Sequence, residues 1–526
     1  MRVLVSDNLG SVGIDLFDAD PDIDVDVKTG LDPEELKGII GHYDALVIRS
    51  ATKVTEDLLA AAPRLKVVGR AGIGLDNVDI EAASKHGVVV MNTPLGNVVT
   101  TAEHAIAMMM ALSRNIPAGT ATLREGRWEK KQLQGREIFG KTLGLIGFGK
   151  IGATVADRAR GLKMEVVIFD PFVSPEHIRS AGYESASLEE LFSRSDVITL
   201  HVPKLRETVN MIDRGAFERM KDGVMLINCS RGGIVNEADL YEAMKSGKVS
   251  GAALDVFDTE PPLSSPLFEF DRFICTPHLG ASTAEAQVNV AAAIAGQIID
   301  YLKNGTITNA VNAPSVSGDM LQKLTPYLEL GDSLGCLQAQ LVCGPIKEIS
   351  IEYLGDFNSL DLSPVSSAVV KGFLTPMVRD EVNFVNAILL AKEMGMRVTE
   401  TASGDGEDFI NLIRVTVETT HMRHMVAGTI YGKKEPRIVQ IDKFRLELIP
   451  SGHLALIHNE DKPGAIGSIG TTLGNHDINI GRMQVGQEEE GNRNIIFLCT
   501  DTPIPESVQK ELRELPMVKM VLPLEF

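Results

Sequence analysis

Cysteine is scarce. The 526 residues hold five, and no two form a Cys-x-x-Cys pair, which excludes a disulfide scaffold and a cysteine metal site. No metal is expected, and a reducing cytoplasm is the simple setting. Positive charge is also in deficit: 51 lysines and arginines face 71 aspartates and glutamates, a formal net charge of −20. Nucleic acid and anionic membranes both need basic patches, so neither is an expected partner. Long apolar runs are missing. The longest uncharged stretches, near Ala105–Ser113 and Val288–Ile299, fall well short of the ~20 residues a spanning helix needs. The opening Met1-Arg2-Val3-Leu4-Val5-Ser6-Asp7 reads as a first strand and not as a targeting signal, which would carry an apolar core. The charge deficit has a corollary. Repulsion between an acidic surface and an anion is screened beyond about 8 Å, so an anionic ligand needs its own cluster of arginines and lysines.

What is there is an ordinary globular composition, 44% apolar and 23% charged, in a chain long enough for several domains. Up to about Asn312, short β-branched segments alternate with helix-length ones. The expected strands are Arg2–Ser6, Ala45–Ile48, Lys66–Gly69, Val88–Met91, Thr142–Ile146, Glu165–Phe169, Val197–Leu200, Val224–Asn228 and Phe273–Cys275. Such alternation predicts a parallel α/β architecture. Asn312–Gly318, with Pro, Ser, Gly and Asn, is the expected exposed link. A second α/β block is expected from about 319 to 450. From Leu454 the order is strand, helix, strand, strand, helix, strand, with helices at Ala465–Asn475 and Glu506–Leu515. That is the ferredoxin-like βαββαβ pattern.

Thr142–Ile146 runs directly into Gly147-Phe-Gly149-Lys150-Ile151-Gly152 and then a helical segment, Ala153–Gly161. In this motif Gly147 makes the tight turn, Gly149 lets the backbone approach a pyrophosphate, and Gly152 allows close packing of helix on strand. The helix N-terminus offers free N–H groups to the phosphates. The next strand ends in Asp170, 23 positions after Gly147. An aspartate there accepts from adenosine ribose hydroxyls and repels the extra phosphate of NADP, so NAD is the expected cofactor.

Three later segments each end a strand in polar residues: Asn228-Cys-Ser-Arg231-Gly-Gly, Asp255-Val-Phe-Asp258-Thr-Glu260-Pro-Pro and Thr276-Pro-His278-Leu-Gly280. Ligands bind at the carboxyl ends of such strands. Oxidising a secondary alcohol requires a base for the hydroxyl proton while hydride leaves carbon, and His278 is the natural base. Glu260 beside the imidazole favours the charged ring and orients it. Arg231 suits a substrate carboxylate and the oxygen at which charge develops. Alone, each residue has a plainer reading as a loop histidine, a surface ion pair or a turn. Cys229 either touches a nicotinamide or fills a small buried space. It is given no catalytic duty. The Met108-Met109-Met110 run reads as core packing.

In this order the motifs closely resemble the D-2-hydroxyacid dehydrogenase family, over roughly residues 1–310. The resemblance implies an NAD-dependent oxidoreductase with Arg231, Glu260 and His278 as its catalytic arginine, glutamate and histidine. It also implies a cofactor site of Gly147, Gly149, Lys150, Ile151, Gly152, Asp170, Val202, Pro203, Cys229, Asp255, His278 and Gly280. The implied fold class is α/β. A Rossmann-like doubly wound parallel sheet (99–284) is inserted in a flavodoxin-like substrate domain (1–98 and 285–312). An α/β intervening domain (313–450) and a ferredoxin-like ACT domain (452–526) follow.

Val47-Ile-Arg49-Ser50-Ala-Thr-Lys53 and Gly69-Arg70-Ala-Gly72-Ile-Gly-Leu-Asp-Asn77 resemble the substrate loops of the phosphoglycerate members. Arg49, Ser50 and Arg70 offer donors for a carboxylate and a phosphate. Gly72 and Asn97 continue the same site. Trp128 sits among Arg127, Lys130 and Lys131. In the family this stretch can reach the substrate phosphate across a subunit interface, which makes Lys131 a candidate. The implied reaction is D-3-phosphoglycerate to 3-phosphohydroxypyruvate, the first committed step of L-serine biosynthesis. The alternatives are a hydroxypyruvate or glyoxylate reductase and an NAD-sensing interaction protein without catalysis.

Val426–Thr429, Glu435–Val439 and Ile441–Arg445 resemble the intervening domain of the long members, with a scaffold or an anion-effector site as its role. The tail resembles an ACT domain. Its strand Leu454–His458 leads into the loop Asn459-Glu-Asp461-Lys-Pro463-Gly464, and Asp477-Ile-Asn479-Ile opens the next strand. Pro463 is expected in the first helical turn. The resemblance implies that Asn459, Asp461 and Asn479 bind L-serine between paired tails. Helix cap and turn former are their plainer roles. Paired tails and interlocked dinucleotide domains imply a homo-oligomer, a tetramer.

Overall fold

The computed structural model describes every residue except 315–317, 358–359, 379–381, 433 and 488–492. The first sheet is parallel, with strands in the order Asp24–Val27, Arg2–Val5, Ala45–Ile48, Val67–Arg70 and Val89–Asn92. This is the flavodoxin-like order. Ala45–Ile48 and Val89–Asn92 are buried along their whole length, as strands covered on both faces must be. Asp24–Val27 is the strand of this sheet that sequence reading misses. It lies at the edge, half exposed, and its Asp-Val-Asp-Val lettering lacks a continuous apolar run. Arg70 closes its strand instead of following it.

The helix Ala284–Asn304 returns to this sheet. Val290, Ile294 and Ile298 pack against Val3, Val5, Val47 and Val67. Each such side chain removed from water contributes about 1.5–3 kcal/mol. Asn312 corrects one expectation. It is no exposed linker residue, because its amide accepts from Val90 N–H at 2.8 Å and donates to Val88 O at 2.8 Å. Of the rest of the expected link, Ala313 and Pro314 are half-buried, Ser315–Ser317 lie outside the described residues, and Gly318 opens the next helix.

The second sheet is also parallel: Phe273–Cys275, Val249–Leu254, Val224–Asn228, Val197–Leu200, Thr142–Ile146, Glu165–Phe169 and Glu184–Ser185. The chain reverses its winding between Thr142–Ile146 and Val197–Leu200. That switch point opens a crevice at the strands' carboxyl ends. The helix Val98–Ser113 packs below, with Met108 and Met109 in the core as expected.

The remaining strands form one ten-stranded sheet across the carboxyl-terminal half. Helices Gly318–Leu341 and Ser363–Leu374 cover its first part through Leu330, Leu334, Leu337, Val369 and Phe373. The last part is βαββαβ: His453–Glu460, Ala465–Asn475, Ile480–Gln487, Arg493–Thr500, Glu506–Glu514 and Val518–Leu524. Its edge strand Ile480–Gln487 meets Phe444–Leu448 at one register pair, Arg445 with Gln487. The Gln340 amide ties the chain end to the first part, donating to Glu525 O at 2.8 Å and accepting from Glu525 N at 3.0 Å.

The placement of Pro463 in a first helical turn is corrected. The helix starts at Ala465. Residues Lys462–Ala465 form a turn closed by Ala465 N–H to Lys462 O at 3.2 Å, with Gly464 at φ 93°. Proline followed by a positive-φ glycine is the chemistry of a type II turn.

Candidate active site

A cleft of roughly 780 Å³ lies between the first two sheets. Small or polar residues follow the strands that feed it: Arg49 after Ile48, Gly147 after Ile146, His201 after Leu200 and Asp255 after Leu254. Gly147 turns at φ 95°, and a Cβ there would stand 2.4 Å from His201 O. A Cβ on Gly152 would meet Gly147 O at 2.0 Å, while the space beside Gly149 is open. Gly149 begins the helix Lys150–Gly161 with no side-chain cap, so its first N–H groups face the crevice without a competing acceptor. Asp170 accepts from Phe148 N at 2.7 Å, Phe172 N at 2.8 Å and Val173 N at 3.1 Å. A carboxylate has about four acceptor sites, so one is left for a ribose hydroxyl. This donor and acceptor set fits a dinucleotide. Gly149, Lys150, Ile151, Val202, Pro203, Cys229, Asp255 and Gly280 line the cleft. Gly147, Gly152 and Asp170 are not among its lining residues. Burial pushes the Cys229 thiol pKa upward, with Asp255 adding to the effect, so Cys229 is a neutral filler there.

His278 and Glu260, the expected proton-handling pair, are in contact. His278 Nδ1 lies 2.8 Å from Glu260 Oε2. A carboxylate only accepts, so Nδ1 carries the hydrogen and Nε2 is the free nitrogen. Glu260 Oε1 accepts from Phe257 N at 3.1 Å. His278 itself sits at φ 54°, a left-handed conformation unusual for a non-glycine residue. Across the cleft, Arg231 Nε donates to Asp76 Oδ2 at 2.9 Å and Nη1 to Ser230 O at 2.8 Å. Gly74 makes room for its guanidinium: a Cβ there would lie 1.9 Å from Nη2.

The basic loops converge on the same space. Arg49, Ser50, Arg70, Gly72 and Asn97 all line it. Arg70 Nη2 reaches Ser50 Oγ at 3.4 Å, and Arg49 Nη1 donates to Asn8 O at 3.1 Å. Neither arginine has an ion pair with a carboxylate among the described residues. Burial, with the Arg231 charge beside it, lowers the Arg70 pKa to about 10. The Asn97 Oδ1 atom is buried without a partner among the described residues. Lys131 is exposed and does not line this cleft within one chain.

Two groups escaped sequence reading. Asp7, just past the first strand, shapes the Arg49 loop by accepting from Arg49 N at 2.6 Å and Thr52 Oγ1 at 2.7 Å. Its only sequence signal is that place. Lys53, quoted with the Arg49 loop but given no role, lines the cleft, and His201, the second, joins it. Burial alone lowers His201 to about 4, so its ring is neutral. Its signal is the strand end immediately before Val202-Pro203.

The tail residues are not brought together in one chain. Asn459 pairs in register with Asn494, whereas Ile480, next to Asn479, pairs with Thr500. Six residues of strand separate them, roughly 20 Å. Asn459 Oδ1 is buried and unpartnered among the described residues, Asn479 donates to Asp501 Oδ2 at 2.8 Å, and Asp461 is exposed.

Comparison with known proteins agrees with this geometry. Residues 106–280 match the D-isomer specific 2-hydroxyacid dehydrogenase NAD binding domain. Residues 323–442 match the D-3-phosphoglycerate dehydrogenase intervening domain, and 453–516 the ACT domain. A D-3-phosphoglycerate dehydrogenase of Synechocystis is 43% identical, covering 98% of this chain and 93% of its own length. One from Archaeoglobus fulgidus is 41% identical and covers 98% of both chains. The chain belongs to the D-3-phosphoglycerate dehydrogenase family. Among solved structures, D-lactate dehydrogenase from Aquifex aeolicus, complexed with NAD and lactic acid, aligns with a TM-score of 0.54 at 28% identity. It covers 60% of this chain and all of its own. As a member of its family this chain is an NAD-dependent oxidoreductase of the CH–OH class. No helix among the described residues is long and apolar enough to cross a membrane.

Proposed function

We propose that the cleft oxidises D-3-phosphoglycerate to 3-phosphohydroxypyruvate, opening L-serine synthesis. The observation that carries this reading is the His278–Glu260 pair, whose free Nε2 belongs to the same cleft as Arg231 and the unneutralised Arg49 and Arg70. NAD, when bound, supplies the hydride acceptor. His278 Nε2 takes the C2 hydroxyl proton, and Glu260 stabilises the imidazolium that results. Arg231 holds the substrate carboxylate and the C2 oxygen. Arg49 and Arg70 hold the phosphate, with Ser50, Gly72 and Asn97 shaping the pocket around it. A mono-anionic hydroxy acid has no use for so many uncompensated cations, which disfavours glyoxylate or hydroxypyruvate as the substrate. NADH formation from 3-phosphoglycerate, D-glycerate and D-lactate tests the assignment. Strong preference for the phosphorylated acid is expected, and equal rates on all three defeat it.

The same reading divides the chain at 98/99, 284/285, 312/313 and 450–452. It pairs tails from two copies, which brings Asn459 and Asp461 of one tail to Asn479 of another as an L-serine site. Lys131 reaches a neighbour's substrate in the same homo-oligomer, a tetramer. All five cysteines are free, which suits the cytoplasm. Initial rates with and without millimolar L-serine test the effector role, and an unchanged rate removes it.

A further inference from the structure

The helix Val98–Ser113 leaves the cleft at Asn97 and runs beneath the loop that carries His278. Three contacts join them. Thr100 Oγ1 lies 3.3 Å from Thr283 Oγ1. A Cβ on Gly280 would touch Thr101 Cγ2 at 3.5 Å. One turn on, His104 Nε2 lies 3.0 Å from Thr276 Oγ1 and 3.3 Å from Asp255 Oδ1. Positions 101 and 104 share a helix face.

Hydrogen counting fixes the direction of this network. The Thr276 hydroxyl has one proton, and it goes to Asp255 Oδ1 at 2.5 Å, since a carboxylate cannot donate. The contact to Met108 Sδ is long, at 3.9 Å, so the proton stays on the carboxylate side and the contact with His104 must be donated by His104, from Nε2–H. Asp255 is almost fully buried. Besides Thr276, it accepts from Leu279 N at 2.7 Å through Oδ1 and from Gly280 N at 2.7 Å through Oδ2. Its own carbonyl accepts from His278 N at 3.0 Å. Burial opposes ionisation of Asp255, but His104, Thr276 and Leu279 outweigh it and hold the carboxyl below the usual range. These bonds close on both sides of His278, the one loop residue with positive φ. A strained conformation persists only where its surroundings over-determine it.

We infer that His104 is a positioning residue for His278: by donating from Nε2 it sets the Thr276–Asp255 clamp that fixes the His278 loop on the helix leaving the substrate loop. This rests on the reading of His278 as proton acceptor. It assigns that helix a share in the chemistry although His104 does not touch the reacting atoms.

The test uses the full chain with NAD and 3-phosphoglycerate. His104→Leu removes the donor, and His104→Gln keeps one at similar reach. His104→Leu is expected to lower kcat by roughly ten- to a hundredfold, the scale of a misplaced catalytic group, with both KM values within about threefold. His104→Gln is expected to recover most of that loss. Thr276→Val, which deletes the shared hydroxyl, is expected to lower kcat similarly, and carries the test alone if His104→Leu does not fold. His104→Leu with unchanged kcat, His104→Gln as slow as His104→Leu, or Thr276→Val at wild-type rate overturns the inference. His278→Ala separates the two levels. If it keeps the wild-type rate, the acceptor reading itself falls. If it is crippled while His104→Leu is not, only the positioning role falls.

Discussion

Basic side chains in the cleft and in the carboxyl-terminal half of the chain are held differently. In the amino-terminal cleft Arg49 and Arg70 have no ion pair to a carboxylate among the described residues, and Arg231 leans on a single one, Asp76. In the carboxyl-terminal half, Arg414 is pinned by Glu352 and Glu407, Arg437 by Glu435 and Glu447, and Glu460 by Lys462 and Lys519. A chain of net charge −20 has acids enough to neutralise every arginine. At Arg49 and Arg70, which line the cleft with no such ion pair, we assign the missing counter-charge to a ligand. Where two carboxylates hold one arginine, as at Arg414 and Arg437, it serves the fold.

The contrast breaks most completely at His278. His278→Ala is expected to lower kcat by about 10²–10⁴, the usual worth of a general base, with NAD affinity by fluorescence titration within a few-fold. A full-rate variant would mean that the cleft is not the reactive half. A charge-preserving variant sharpens the point. Arg70→Lys keeps a cation but loses the planar fork, so KM for 3-phosphoglycerate should rise less than in Arg70→Ala. Equal KM values for the two variants contradict the role given to its charge.

Arg414→Ala is the converse. It leaves Glu352 and Glu407 facing each other, so the urea midpoint should drop by the equivalent of about 1–2 kcal/mol, with KM unchanged. A raised KM would erase the distinction between the halves. The smallest effect lies at His424, whose Nδ1 is 2.8 Å from Asp442. That hydrogen bond raises the histidine's pKa in the fold. Its contribution to stability is therefore fully present below the ordinary histidine value near 6.5 and lost as pH rises through the folded value. His424→Asn should cost stability at pH 5.5 and little at pH 8.5. The reverse order counts against the pairing.

The amino-terminal half was legible because parallel strands announce themselves as apolar runs and their polar ends carry motifs. Thr142–Ile146 and Val224–Asn228 sit where their lettering places them, and Arg231, Glu260 and His278 line one cleft. What stayed hidden depends on neighbours distant in sequence. Asp7 shapes the Arg49 loop from 42 positions away, and His104 reads as one polar residue in an apolar helix until Thr276 and Asp255 lie beside it. In the tail, βαββαβ order was plain, but its merger with the preceding sheet was not. One register pair, Arg445 with Gln487, joins them, and no local pattern encodes a meeting between two edges.

The most direct measurement is kcat/KM for wild type and Arg70→Ala, each with D-3-phosphoglycerate and with D-glycerate. If the bare arginine awaits a phosphate, the substitution costs the phosphorylated substrate roughly 10- to 100-fold, the worth of a charged hydrogen bond, and costs D-glycerate less than about threefold. Equal losses on both substrates, or none on either, contradict the account.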